Sequence, residues 1–216
     1  LHRLAREIER GTGFPADTIL KLAHDRSFIG ELGLNVPSLE GYLLPETYRI
    51  RYDESVRALL RRMARACDEI FAGDALDRMK ALGRSRHEIL TMASLVEGET
   101  RLPEERPRVA GVYYNRLRRG MLLQADPSIQ YIIPDGPRRL LYRDLSINSA
   151  YNTYMYAGLP PGPVNHPGKA SILAALSPES HNFLYFVADG RGGHTFSRTI
   201  EEHNRAVAAY RKSQRK

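Results

Sequence analysis

An apolar segment that begins at Ser85 ends in two carboxylates, and the first of them, Glu97, is the residue best suited to acid–base chemistry. Ser85 and Glu88 have the spacing of a capping box, which predicts a helix that starts there. Glu97 then lies at the edge of the apolar stripe, where loss of hydration would raise the pKa of its carboxyl group toward that of a general acid. Glu99 follows about 200° further around the helix, so we do not expect the two carboxylates to share one site. The alternative for Glu97 is a helix-end residue that points to water.

Further polar groups follow a short apolar stretch and lie in an irregular segment. Gln124 and Asp126 come after residues 121–123, which we predict to be a short strand that displays them. Asp126 also precedes a proline, so it could simply open a turn. Glu40 belongs to the segment 39–48, which is dense in carboxylates and tyrosines and suits a binding wall. A tight connection with packed tyrosines is the alternative.

The longest predicted loop, 149–168, contains Tyr151, Asn152 and Thr153 together with several prolines. Prolines stiffen such a loop, so it can present polar groups at low entropic cost. After it, residues 183–188 and 194–197 predict two strands joined by a glycine-rich turn. His194 begins the second strand and is the histidine best placed for a functional role; a structural role is the simpler expectation for the others.

Composition limits the class of protein. The chain has 216 residues and a net charge of +7, which suits one domain, with or without a small appendage, and a polyanionic partner. The arginines are spread along predicted helices and tryptophan is absent, which disfavours nucleic acid. With Cys67 alone, neither an intrachain disulfide nor a thiolate metal site can form. No run approaches the roughly 18 apolar residues of a membrane span. The chain opens within a predicted helix, so we expect the natural protein to continue upstream.

Amphipathic helices account for most of the pattern, and the two strands form a hairpin. We therefore predict an α+β fold with helices around a small antiparallel sheet. Several segments along the chain stand out together: LEGYLLPETY at 39–48, ASLVEGET at 93–100, the residues 115–128, YNTY at 151–154, GLPPGP at 158–163, and the residues 184–197 and 202–204. In their order and spacing they resemble one family, the endolytic murein transglycosylase or YceG-like family.

The resemblance implies a lyase that cuts the β-1,4 bond between N-acetylmuramic acid and N-acetylglucosamine inside peptidoglycan strands, leaving 1,6-anhydro-muramyl ends. It implies that Glu97 is catalytic, first as an acid and then as a base, that Glu99 has a supporting role, and that no cofactor or metal is needed. It also suggests a set of sugar-binding candidates. These are Glu40, Gln124, Asp126, Tyr151, Asn152, Thr153, His194 and Thr195.

The resemblance further divides the chain into a remnant of a LysM-like subdomain at 1–38, which lacks its leading strand, and a catalytic domain at 39–216. It implies peptidoglycan strands as the substrate, with peptidoglycan synthases as further partners and no nucleic acid. It places the protein in the cell envelope, at the outer face of the cytoplasmic membrane, held by an anchor that this chain lacks. Two alternatives stay open: a non-catalytic wall-binding scaffold for synthases, and a two-carboxylate muramidase that pairs Glu97 with Asp126 or Glu40.

Overall fold

The computed structural model describes residues 1–134 and 136–214, and these residues form a mostly helical fold with one small sheet. The predicted α+β arrangement is confirmed. None of the described helices is both long enough and apolar enough to cross a membrane. In chain order the elements are α1 (His2–Thr12), α2 (Ala16–Ala23), α3 (Arg26–Glu31), α4 (Val56–Glu69), α5 (Ala75–Leu82), α6 (Arg86–Glu99), α7 (Arg106–Arg118), α8 (Asp126–Ile132), α9 (Lys169–Leu176), β1 (Tyr185–Ala188), β2 (His194–Ser197) and α10 (Ile200–Ser213).

Helix α6 is the central element. Its capping box is present as predicted: the Ser85 hydroxyl accepts from the N–H of Glu88, and the Glu88 carboxylate accepts from the N–H of Ser85. Every residue from Ile89 to Val96 is buried, so the helix is covered on all sides by α7, α8 and α9. Its C-terminal turn is the part that reaches the surface, and that turn carries Glu97 and Glu99.

The two strands form the predicted antiparallel hairpin. Tyr185 lies opposite Ser197, and Ala188 lies opposite His194. The Asp189 carboxylate closes the turn by accepting from the backbone N–H groups of Arg191 and Gly193. Helix α10 packs on both strands, and this brings its first turns next to β1.

The strand predicted for residues 121–123 is wrong, because the described residues contain no strand beyond β1 and β2. The segment ends at Gln124, whose backbone has a φ of 51°, in the left-handed region that side chains other than glycine rarely adopt. Its N–H donates instead to the carbonyl of Thr153, at 3.0 Å. The segment is therefore an irregular connection docked on the 151–154 turn.

The N-terminal helices share one core with the rest of the molecule. Ile19, Ala23 and Phe28 are fully buried in the same apolar cluster as Leu39 and Leu60. The N–H of Leu39 also donates to the carbonyl of Ala23 at 2.9 Å. The division at residue 38 and the LysM-like character of the first segment stay predictions.

Candidate active site

The C-terminal turn of α6 meets the N-terminal turn of α8 at a glycine. A Cβ atom on Gly98 would lie 2.5 Å from Cγ of Pro127, so no larger residue fits without displacing α8. Gly98 stands between the two glutamates in the sequence, and Pro127 follows Asp126. The close approach therefore brings the Asp126 backbone to within hydrogen-bond range of Glu99.

Glu99 is only partly exposed, and its carboxyl group is held by specific contacts. The hydroxyl of Tyr113, a buried residue of α7, donates to its Oε1 at 2.5 Å. Burial raises the pKa of Glu99 to about 7, and the nearby Asp126 carboxylate acts in the same direction. The Tyr113 hydrogen bond, the Asp126 N–H and the Arg116 charge favour the ionised form and limit the rise.

A cavity of about 250 Å³ opens beside this carboxyl group. Elements from distant parts of the sequence form its walls: the ends of α6 and α8, the face of α7, the connection before α8, the long loop, β1 and α10. The lining residues are Glu99, Arg116, Leu123, Gln124, Asp126, Tyr154, Phe186 and His203.

Four of these polar groups are held in two hydrogen-bonded pairs, Tyr154 with Asp126 and Arg116 with Gln124. The Tyr154 hydroxyl donates to Oδ1 of Asp126 in a short hydrogen bond. Arg116, which is buried, donates from Nη1 to the carbonyls of Leu122 and Leu123, and to Oε1 of Gln124 at 3.3 Å. The strained backbone of Gln124 thus carries a side chain that faces the cavity, a pattern common at binding sites.

Asn152 and Thr153 support this arrangement from behind. Both side chains are buried. Asn152 donates to the carbonyls of Leu145 and Ile147, and Thr153 accepts from the N–H of Ala125. Neither side chain has exposed surface that could contact a sugar. Their position therefore supports a structural role, which is to hold Tyr154 and Gln124 in place.

Glu97 lies outside the cavity lining. Its Oε1 pairs with Nη2 of Arg106 at 3.3 Å, and its Oε2 accepts from the N–H of Gly168 at 3.1 Å. Gly168 is the N-cap residue of α9, and Arg106 begins α7. Glu97 therefore ties the end of α6 to the starts of two neighbouring helices.

Four other predicted binding residues also lie outside the lining. Oε1 of Glu40 lies 3.2 Å from Nε2 of the buried His166, and the Tyr151 ring packs on Tyr131 with centroids 4.8 Å apart. The imidazole of His194 is paired with Glu105 at 2.7 Å, which ties the hairpin to the turn before α7. Thr195 is exposed on β2.

Of the predicted binding residues, Gln124 and Asp126 are thus the pair that the structure brings to the cavity, and Glu99 joins them. Sequence reasoning missed Arg116, Tyr154, Phe186 and His203. All four lie within the segments that carried the family resemblance, so those segments held a usable signal. The helical pattern alone gave none for Arg116, because it looks like any arginine on an amphipathic helix.

The arrangement is suited to proton transfer at a polar, uncharged ligand. A carboxyl group with a pKa of about 7 can both donate and accept a proton near neutrality. The neighbouring Asp126 carboxylate can stabilise positive charge, and the remaining walls offer hydrogen-bond donors and an apolar ring. Within the described residues, no cluster of three or more histidine, cysteine or acidic side chains is arranged to hold a metal ion.

A helical domain with a small hairpin and a buried carboxyl group beside a cleft is the class of protein that the fold and site define. The chain belongs to the YceG-like family, whose model matches residues 1–209. A crystal structure of a YceG-like protein from Listeria monocytogenes has the same fold, with a TM-score of 0.82 and 34% sequence identity over 94% of this chain and 71% of that one.

Two curated relatives are named endolytic murein transglycosylase. The Bacillus subtilis (strain 168) protein is 35% identical over 97% of this chain and 62% of its own length. The Streptococcus pneumoniae (strain D39) protein is 33% identical over 90% of this chain and 39% of its own length. The chain therefore spans 62% and 39% of the lengths of these two curated relatives.

Proposed function

We propose that this chain is the catalytic part of an endolytic peptidoglycan lytic transglycosylase, which cleaves the bond between N-acetylmuramic acid and N-acetylglucosamine within glycan strands. The observation that carries the proposal is a single carboxyl group of raised pKa, Glu99, on the wall of a polar cavity. The names of the two curated relatives support the substrate class.

We assign the proton transfers to Glu99 in place of Glu97. The Glu97 carboxylate is committed to the Arg106 guanidinium and to the N–H of Gly168, and it does not line the cavity. Glu99 faces the cavity and has a pKa near neutrality.

The reaction needs only this one proton carrier. Protonated Glu99 donates to the glycosidic oxygen as the bond from that oxygen to the anomeric carbon breaks. The 6-hydroxyl oxygen of the muramyl residue then attacks the anomeric carbon, and its proton passes to the Glu99 carboxylate. The anomeric carbon of the muramyl residue thus exchanges its bond to the glycosidic oxygen for a bond to its own 6-oxygen. Water does not enter, and Glu99 is again protonated at the end.

The other polar groups of the cavity act on charge and position. Positive charge develops at the anomeric carbon, and the Asp126 carboxylate, fixed by Tyr154, is placed to stabilise it together with the acetamido group of the substrate. Gln124 is held by Arg116 and offers its amide to a sugar hydroxyl. These roles require no cofactor.

A second candidate is a muramidase that uses two carboxyl groups, Glu99 as the acid and Asp126 as the base or nucleophile. It is favoured by the placement of both carboxyl groups on one cavity, as glycosidases that use water require. The two reactions differ by one water molecule in the product. The third possibility, a wall-binding scaffold without activity, predicts no product at all.

Product analysis tests the proposal. Purified sacculi are incubated with the wild-type chain, with Glu99→Gln and with Glu97→Gln, and the fragments are identified by mass spectrometry. We expect anhydro-muramyl ends from the wild type, at least a hundredfold less product from Glu99→Gln, and folded Glu97→Gln with substantial residual activity, in line with the 10²–10⁴-fold contribution of general acid–base catalysis.

The two variants are matched controls for each other, because each replaces one carboxyl group by an amide on the same turn. Full activity of Glu99→Gln would contradict the assignment. Fragments that are heavier by one water molecule would show that the reaction is hydrolysis, and the muramidase would then be the correct function. An inactive wild type that still binds sacculi would favour the scaffold.

We also propose that the protein acts in the cell envelope, as the cell-wall substrate of the relatives named murein transglycosylases suggests. A position at the outer face of the cytoplasmic membrane, a membrane anchor and peptidoglycan synthases as partners stay predictions.

A further inference from the structure

His203 is the contribution of α10 to the cavity. We propose that its Nε2–H group binds a carbonyl oxygen of an acyl substituent on the glycan, so that His203 selects acylated sugars at the cleavage site. The proposal rests on the proposed function, because it names the part of that substrate which this wall recognises.

The surroundings of the imidazole determine which nitrogen is available. Nδ1 of His203 is buried and has no hydrogen-bond partner within the described residues. Nε2 also has no partner among these residues, yet it is not one of the buried unpaired atoms, so it is open to the cavity. An unpaired buried N–H is rarer and more costly than an unpaired acceptor, so the proton belongs on Nε2. The exposed part of the ring is therefore a hydrogen-bond donor.

The neighbours of His203 keep it neutral and oriented. The ring stacks on Tyr185 with centroids 5.3 Å apart and an angle of 27°. The Arg116 guanidinium lies 5.2 Å from the centroid of that Tyr185 ring. Burial lowers the pKa of His203, and the positive charge of Arg116 lowers it further. A neutral imidazole in this position donates from Nε2 without adding a second positive charge to the wall.

The cavity thus has two chemically different parts. Glu99 and Asp126 supply carboxyl groups, which pair with sugar hydroxyls. Arg116 and His203 supply donors: Nη2 of Arg116 makes no hydrogen bond within the part of the chain that the structure describes. A donor of this kind is best matched by an oxygen that only accepts, and the N-acetyl and lactyl groups of the glycan carry such carbonyl oxygens.

Binding measurements without turnover test the proposal. In the full chain carrying Glu99→Gln, affinities are measured by calorimetry for a tetrasaccharide of alternating N-acetylglucosamine and N-acetylmuramic acid, and for the same tetrasaccharide after de-N-acetylation. Adding His203→Phe keeps the stacked ring but removes the donor. We expect it to weaken binding of the acetylated ligand about tenfold, the effect of one lost hydrogen bond.

The ligand pair distinguishes the two sources of the carbonyl. A loss confined to the acetylated ligand assigns the contact to the N-acetyl group, and an equal loss with both ligands assigns it to the lactyl group. His203→Gln, which keeps an N–H donor, is expected to recover part of the affinity. His24→Phe is the control, because His24 is an exposed histidine at the end of α2, outside the cavity lining.

Unchanged affinity of the His203→Phe chain for both ligands would overturn the proposal, as would an equal loss in the His24→Phe chain. These outcomes are separate from a failure of the proposed function. That failure would appear as anhydro products from Glu99→Gln, or as no binding or cleavage of glycan by the wild-type chain.

Discussion

The carboxyl group of Glu99 is balanced between opposing influences. Burial and the Asp126 carboxylate favour its protonated form, whereas the Tyr113 hydroxyl, the Asp126 N–H and the Arg116 charge favour the ionised form. The result is a pKa of about 7, above the ordinary value for glutamate. An acid that must later act as a base requires such a balance, because either extreme would block one of the two proton transfers.

The raised pKa of Glu99 predicts a pH-dependent stability. A group whose pKa is higher in the folded state than in the unfolded state stabilises the fold most at low pH, and this contribution is lost as the pH rises through the folded pKa, here about 7. Glu99→Gln cannot ionise. We therefore expect the variant to gain stability relative to wild type between pH 5 and pH 8, as measured by urea unfolding.

Glu97→Gln is the comparison for this measurement. Its native carboxylate is paired with Arg106 and Gly168, so the substitution is expected to destabilise the fold at both pH values. A stability difference between Glu99→Gln and wild type that stays constant from pH 5 to pH 8 would contradict the raised pKa.

At the residue scale, the sequence pointed to the C-terminal turn of α6, but it did not indicate which of the two glutamates lines the cavity. The reason is that Ile89 to Val96 are all buried, so a helical wheel has no polar face against which to orient Glu97 and Glu99. The orientation of the two glutamates is set instead by tertiary contacts. Arg106 and Gly168 bind Glu97, and Tyr113 binds Glu99.

At the scale of elements, the site depends on how closely α8 approaches α6. The approach is possible because Gly98 has no Cβ, and it places Asp126 beside Glu99. Gly98→Ala would put a methyl group 2.5 Å from Cγ of Pro127, so α8 must move. We expect activity on sacculi to fall at least tenfold, since displacing a catalytic group by about 1 Å can cost a hundredfold.

The control for that substitution is Gly30→Ala. Gly30 is also helical, and its added methyl group would have no atom within 4 Å. We expect the control to retain activity and to be as stable as the wild type or slightly more stable, because alanine favours helix over glycine. Wild-type activity in Gly98→Ala would show that the contact between α6 and α8 does not position the site.

Elements with local signals were predictable, and elements defined by distant contacts were not. The capping box at Ser85 and the glycine-rich hairpin turn depend on neighbouring residues, so the start of α6 and the pair of strands followed from the sequence. Residues 121–123 looked like a strand because they are apolar. Their path is decided instead by Gln124, which turns the backbone into the left-handed region and bonds to Thr153.

At the scale of the whole molecule, the net charge and the cavity contribute to binding in different ways. The net charge of +7 creates a field that attracts polyanions over a Debye length of about 10 Å in 0.1 M salt. The cavity itself combines carboxyl groups and neutral donors with one arginine, a lining that suits the uncharged sugar backbone of the proposed substrate. Attraction to an acidic wall and binding of the glycan should therefore respond differently to salt.

We expect binding of Glu99→Gln to intact, negatively charged sacculi to weaken severalfold between 50 mM and 500 mM NaCl, because added ions screen the net charge. Its affinity for an uncharged chitin oligosaccharide should change little over the same range. Pull-down of sacculi and calorimetry with the oligosaccharide measure the two affinities. Arg3→Gln combined with Arg6→Gln removes two exposed charges of α1, neither of which lines the cavity. This variant should bind sacculi less tightly at low salt yet bind the oligosaccharide like its parent. Salt-independent binding of sacculi would mean that the cavity alone, without the basic surface, holds the wall.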